Sequence, residues 1–188
     1  SSLTSIDLPD SVTSIGDSAF QNCSSLTSID LPDSVTSIGK NAFYNCSSLT
    51  SIDLSDTQIT AIGYDAFYGC SSLTSITLPF VGEKADGRAE THFGYIFGAS
   101  SYSYNDDYVP SSLKEVIITG GIKIAENAFY DCDSLTSIVI PNSVTNLGYN
   151  AFSDCGSLIN VYYSGTVEDW CNIGFSNEYS NPMYYASH

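Results

Sequence analysis

Apolar and polar positions recur along this chain with a period of 23 residues. The stretch SSLTSIDLPDSVTSIG runs from Ser1 to Gly16 and again, letter for letter, from Ser24 to Gly39. Leu3, Leu26, Leu49 and Leu73 mark four coils at spacings of 23, 23 and 24 residues, and Leu113, Leu135 and Leu158 mark three more after an interruption. A fixed period in this range signals a solenoid. Within each coil, Leu3, Ile6 and Leu8 set the apolar pattern of a half-buried strand. That segment is expected to form one rung of a parallel sheet in every coil. Pro9, Pro32, Pro79 and Pro141 follow it and end the strand by removing a donor. Val12 and Ile15 make a second short extended segment, ended by Gly16 at a sharp bend. Ser18, Asn41, Asp65, Asn127 and Asn150 then fill a column of good helix N-caps. They predict a short capped helical turn through the Ala-Phe pairs, from Ala19–Phe20 to Ala151–Phe152. Asn22, Asn45, Gly69, Asp131 and Asp154 close that turn, and several of these residues tolerate left-handed backbone. One coil buries too little to offset the entropy of ordering its backbone, so each must cover its neighbours. The sequence repeats because every coil has to present the same surface above and below.

The pattern SLTSIxLPxSVTSIGxxAFxxC resembles the BspA-like type of leucine-rich repeat, found on bacterial cell surfaces. The resemblance covers Ser1 to Pro79 and Ser112 to Tyr163. The segment YYSGTVEDWCNIGF, from Tyr162 to Phe175, also resembles the piece that closes such arrays. It implies an elongated, mildly curved leucine-rich repeat solenoid, secreted or surface-anchored, that acts in adhesion and protein binding without catalytic residues. The expected layout is a single domain over 1–188: coils at 1–79, an aromatic-rich insertion at 80–110, coils at 111–163 and a closing segment at 164–188. Two departures stand out. The insertion interrupts the period, and in the fifth coil Thr119 replaces the Pro and one residue is missing. Ser1 sits at the phase of Ser24, which reads as a piece cut from a longer protein with any signal or anchor missing.

Charge narrows the partners. The 188 residues include 21 Asp and Glu against 5 Lys and Arg, a net charge of −16. Nucleic acid and anionic membrane surfaces are held mainly by Lys and Arg, so both are disfavoured. No apolar run is long enough to span a membrane. Cys23, Cys46, Cys70, Cys132 and Cys155 share one column, where parallel Cβ directions oppose bridging. They are expected to be buried free thiols, and the absence of C-x-x-C pairing speaks against a metal role. His92 and His188 are the only histidines, and His92 is read as a loop residue. The stacked Asp7, Asp30 and Asp53 are read as a solvated acidic face, with weak Ca²⁺ binding as the alternative. Asn22 and Asn45 head glycosylation triplets that are by-products of the repeat. No cofactor is implied.

Phe80 to Pro110 lacks the repeat and is too aromatic for a disordered linker. Its HFGYIFGAS part is expected to replace a missing Ala-Phe turn, and its SSYSYNDD part to protrude. The column expected to face solvent on the sheet reads Asp7, Asp30, Asp53, Thr77, Ile117, Val139, Tyr162, passing from acidic to apolar. Large exposed apolar patches mark interaction sites. Ile117, Val139 and Tyr162, walled by Tyr102, Tyr104 or Tyr108 of the insertion, are therefore the candidate contacts for a protein or glycan partner. The function expected is a monomeric, non-catalytic extracellular binding module. The alternative is a stiff spacer, which the near-identity of the first two coils favours.

Overall fold

The computed structural model describes residues 2–87 and 90–185. Two kinds of strand alternate along the chain, except that two of the longer kind follow one another across the insertion. The first five strands are β1 (Ser37–Ile38), β2 (Ser51–Asp53), β3 (Ala61–Ile62), β4 (Ser75–Leu78) and β5 (Glu115–Ile118). The rest are β6 (Lys123–Ile124), β7 (Ser137–Ile140), β8 (Asn146–Leu147), β9 (Asn160–Tyr163) and β10 (Gly174–Phe175). The longer strands form one parallel sheet in the order β2-β4-β5-β7-β9. Ile52, Ile76, Val116, Ile138 and Val161 stand in register and point into the core. Asp53, Thr77, Ile117, Val139 and Tyr162 stand in register on the opposite face.

The sheet begins at the third coil, not the first as the repeat alone predicts. The backbone bonds from Thr27 N to Thr4 O and from Thr50 N to Thr27 O persist, both 3.2 Å. What fails is the pairing beyond them, where Asp7, Asp30 and Asp53 would face one another. Like charges directly opposite on neighbouring strands are unfavourable. The ladder starts where Asp53 first meets an uncharged partner, Thr77.

The second extended segments form a separate parallel ladder. It comprises β1 with β3, joined by a bridge from Ile15 to Ile38, and then β6, β8 and β10. Between β3 and β6 the ladder is broken. There the fourth coil runs backwards, with Lys84 antiparallel to Ala61.

The turn column differs from its sequence reading in backbone conformation. Ser18, Asn41, Asp65, Asn127 and Asn150 have φ between 53° and 58°, so they do not cap a helix from extended backbone. They are left-handed residues, as are Asn22, Asn45, Asp131 and Asp154 at φ 56–60°. Asn and Asp enter this region more readily than other side chains, which explains a column that resembles N-caps by composition. The left-handed pair splits the turn's amides into two sets. Ala19, Gln21 and Cys23 donate within the coil to Gly16, Ser18 and Phe20. Ser18, Phe20 and Asn22 donate onward to Lys40, Ala42 and Tyr44 of the next coil, at 2.7–2.9 Å. The same three outgoing bonds leave Asn41, Phe43 and Asn45, and again Asn127, Phe129 and Asp131.

Inside these turns the phenylalanines stack into a spine. Phe20–Phe43, Phe43–Phe67 and Phe129–Phe152 lie with ring centroids 5.2–5.4 Å apart and nearly parallel. The insertion bridges the middle of the spine. Its short 3-10 segment Phe93–Phe97 sends Phe97 against Phe67 and Phe93 against Phe129, at 6.3 and 5.0 Å. Tyr95 and Ile96 carbonyls accept from Asp65 and Phe67 amides, and Phe93 N–H donates to Ala128 O. A second carbonyl of that turn, of Tyr130, is met by a side chain. Asn105, fully buried at the start of α1 (Asn105–Tyr108), donates from Nδ2 to Tyr130 O at 2.8 Å. Its Oδ1 accepts from Gly94 N at 3.0 Å. At the far end the closing segment does the same with other means. Asn150 N–H reaches Asn177 Oδ1, Phe152 N–H reaches Tyr179 O, and Asp154 N–H reaches the Tyr185 hydroxyl. Trp170 of α2 (Val167–Cys171) packs edge-on against Tyr163 and Phe175.

Two stability changes follow from these contacts. Ser18 is the one serine in a column otherwise filled by Asn and Asp, and a left-handed residue with a Cβ carries about 1–2 kcal/mol of strain. Ser18→Asn should raise the unfolding free energy by about 0.5–1 kcal/mol in urea titrations, a part of that strain. Asn105→Ala should lower it by about 3 kcal/mol, because two backbone groups, Gly94 N–H and Tyr130 O, lose their partner at about 1–3 kcal/mol each.

Candidate interaction surfaces

On the outer face of the sheet, β5, β7 and β9 bring Ile117, Val139 and Tyr162 side by side. Ile117 and Val139 are half-buried, and Tyr162 is 55% exposed. Alternation fixes this face: Val116, Ile138 and Ile118 turn inward, so their neighbours must turn out. Ser137 and Asn160 flank the strip in register, and Ile159 beside them is 43% exposed. The strip is continuous with Thr77 and ends at Asp53.

The insertion's tyrosines gather elsewhere. Tyr102 sets its ring edge-on against Tyr130 at 5.4 Å, and Tyr108 lies 6.2 Å from Tyr68. Tyr68 in turn stacks on Tyr44 at 4.8 Å. Tyr102, Tyr104 and Tyr108 are 42%, 48% and 38% exposed. They extend the tyrosine column of the Ala-Phe turns and do not wall the sheet strip, because Asn105 pins their segment to the turns. Carboxylates crowd this row. Burial holds the Asp131 carboxyl above its ordinary range, and the charges of Asp106, Asp133, Asp154 and Asp107 push it the same way. The structure thus sorts the six candidate contacts into two faces, Ile117, Val139 and Tyr162 on one and Tyr102, Tyr104 and Tyr108 on the other.

The remaining candidates for chemistry have structural partners. Cys46, Cys70, Cys132 and Cys155 are buried, Cys23 is half-buried and Cys171 is exposed, all as free thiols. Cys46, Cys70 and Cys155 point their Sγ–H back at the carbonyls of Phe20, Phe43 and Phe129 at 3.1–3.3 Å. His92 is 5% exposed, with Nε2 at 3.0 Å from Ala99 O and Nδ1 at 3.4 Å from Glu90. It is a loop residue, as the sequence suggested, set just before the 3-10 segment, and it is buried there as a strut of the insertion. Asp53 Oδ1 accepts from Ser55 N at 2.9 Å in a local turn. Among the described residues no cluster of His, Cys, Asp or Glu is arranged to hold a metal ion. No helix among them is long and apolar enough to cross a membrane.

The stacked coils, the Ala-Phe turns and the cysteine column together match the model of the BspA type leucine rich repeat region. Six copies align, over residues 1–87 and 103–183. This chain belongs to that family. Among solved structures, the repeats resemble the T. pallidum leucine rich repeat protein TpLRR, with 26% identity and a TM-score of 0.56. That alignment covers 97% of this chain and 78% of TpLRR. A leucine-rich repeat protein from Bacteroides ovatus ATCC 8483 aligns at 30% identity and a TM-score of 0.54, over 84% of this chain and 36% of that one. One from Eubacterium ventriosum ATCC 27560 shares the fold at 20% identity and a TM-score of 0.55, over 87% of this chain and 44% of its own. No curated protein matches the chain. The BspA-type repeat is a surface built for protein interaction.

Two features of these surfaces escape a reading by columns. Asn105 carries no repeat signature, being one polar residue among the serines and aspartates of SSYSYNDD. The reversed fourth coil is signalled only by what is missing, since no Val-x-x-Ile-Gly follows Pro79.

The thiol column makes a prediction about alkaline pH. Burial, reinforced by the neighbouring Cys23, pushes the Cys46 thiol from 9.0 to about 11. Burial and the neighbouring Cys46 push Cys70 to about 12. Cys155 rises to about 12, and Cys132 also rises well above 9.0, each mainly through burial. Below pH 9 both folded and unfolded chains keep these protons. Above it the unfolded chain releases protons that the folded chain retains, so stability falls as pH rises through this window. Urea midpoints measured from pH 8 to 11 should therefore decline, and replacing Cys46, Cys70 and Cys155 by Ala should flatten that decline. In native protein at pH 8, a thiol reagent should label Cys171 first and the four buried thiols only after denaturant is added.

Proposed function

We propose that this chain is a non-catalytic binding module of an extracellular or cell-surface protein. It engages a protein or glycan partner through the outer face of the sheet. The observation that carries this reading is the in-register strip Ile117–Val139–Tyr162, partly exposed on a sheet whose opposite face is fully committed to the core. Binding energy concentrates at aromatic and apolar anchors surrounded by less apolar residues, and Tyr162 between Asn160 and the strip fits that description. Tyr102, Tyr104 and Tyr108, with Tyr68 and Tyr130, supply a second contact row on the turn side. The chain acts as a monomer with no cofactor. The spacer reading draws support from one observation, the 16 residues shared by the first two coils, whose sheet face is acidic.

An array of purified extracellular-matrix proteins and host glycans tests this reading. Wild-type protein should bind a subset, and Ile117→Asp/Val139→Asp should lose that binding by more than about tenfold, a difference of about 1.4 kcal/mol. Its thermal midpoint should stay close to wild type, because both side chains lie on the outer face. Tyr102→Ala/Tyr104→Ala/Tyr108→Ala reads the second row separately. Unchanged binding in both variants would place the site elsewhere, and no binding by wild type would favour the spacer.

A further inference from the structure

The second ladder has a missing rung. In every regular coil the segment around Ile15 makes three bonds to its neighbour. Thr36 N–H donates back to Thr13 O, Ile15 N–H donates forward to Ser37 O, and Gly39 N–H donates back to Ile15 O. The same set recurs further along, where Thr145 N–H meets Ile122 O and Gly148 N–H meets Ile124 O. In the fifth coil the corresponding groups on the side of the insertion are Ile122 N–H, Lys123 O and Ala125 N–H. Among the described residues nothing pairs with any of the three. The strand that should meet them is turned away. Glu83 O and Ala85 N–H are spent on Ile62 and Thr60, and Glu83 N–H closes on Glu90 O at 2.7 Å.

A cavity of about 320 Å³ fills the gap, walled by Phe80, Val81, Ile118, Ile122, Ile124 and Ala125. Backbone donors and acceptors are obligatory hydrogen-bonding groups, and here they line a notch with apolar walls at ladder spacing. Ile122, at its mouth, is 73% exposed. Charges of both signs, Lys84 and Lys123 with Asp86, border the notch, so selection falls to main-chain pairing and apolar fit.

We propose that this notch is a β-augmentation site that takes an extended peptide segment, running parallel to β6, as the missing rung. One residue of the peptide accepts from Ile122 N–H. The residue two further on donates to Lys123 O, accepts from Ala125 N–H and places a β-branched apolar side chain between Ile124 and Ile118. That is the chemistry of the chain's own rung, in which Ile38 plays this part. The site is distinct from the sheet strip and the tyrosine row.

The probe is a fluorescent nonapeptide, PDSVTSIGK, with the sequence of Pro32–Lys40, added to the intact chain. Anisotropy should show saturable binding, and hydrogen exchange should slow at the Ile122 and Ala125 amides. The same peptide N-methylated at its isoleucine cannot donate to Lys123 O and should bind at least about tenfold more weakly. Absence of binding overturns the proposal. So does equal binding of the methylated peptide, or protection confined to the first coil, where the peptide would have stacked on the array's end.

Discussion

Every regular turn in this protein sends three amide N–H groups out of its own coil, and the next coil must accept them. The left-handed residues at the two ends of the turn create this demand, because they aim alternate amides along the solenoid axis. Ser18, Phe20 and Asn22 meet it with the backbone of the following coil. Where no regular coil follows, the chain finds substitutes for most of the same positions. The insertion supplies Tyr95 and Ile96 carbonyls on one side, and Phe93 N–H with the Asn105 side chain on the other. The closing segment supplies Asn177, Tyr179 and Tyr185. Unpaired buried backbone groups are expensive, so this demand shapes the irregular parts as firmly as the repeats.

The outer face of the sheet is exempt. Its side chains leave the coil at right angles to the stack, and among the described residues Asp53, Thr77, Ile117, Val139 and Tyr162 carry none of the side-chain bonds between coils, which on this face run from Ser137 to Glu115. That position can pass from Asp53 through Thr77 to Ile117, Val139 and Tyr162 while the residues one step away stay apolar. Where that position is filled by Asp7, Asp30 and Asp53 the ladder is shortest, as expected for like charges set opposite one another. Recognition and fold are thereby assigned to alternate residues of the same strands.

Legibility in the sequence followed the same division. Periodicity sufficed for the coil, the two extended segments and the burial of Cys46, Cys70, Cys132 and Cys155, because each is a column of like residues facing a like neighbour, whereas Cys23, in the first coil, is only half-buried. It failed for the conformation of Ser18, Asn41, Asp65, Asn127 and Asn150, because Asn, Asp and Ser serve both as N-caps and as left-handed residues. It failed for Asn105 because a single side chain replacing a backbone amide leaves no pattern. The placement of Tyr102 and Tyr108 depends on Asn105, so they could not be assigned to the turn side without it.

The asparagines that end the first two turns form a short row of their own, with Asn45 Nδ2 donating to Asn22 Oδ1 at 3.2 Å. Gly69 interrupts the row because a Cβ there would run into Asn45 Oδ1. Both asparagines head acceptor triplets, and a secretory pathway that glycosylates nascent chains would reach them before the turns close. An oligosaccharide on that nitrogen leaves it a single N–H and sets a bulky polar group against the neighbouring turn. A eukaryotic expression host would thus place on the first coils a modification that competes with the bond between Asn45 and Asn22. The cell in which the chain is made then decides whether that side-chain row forms, while the backbone bonds between the two turns involve neither amide side chain.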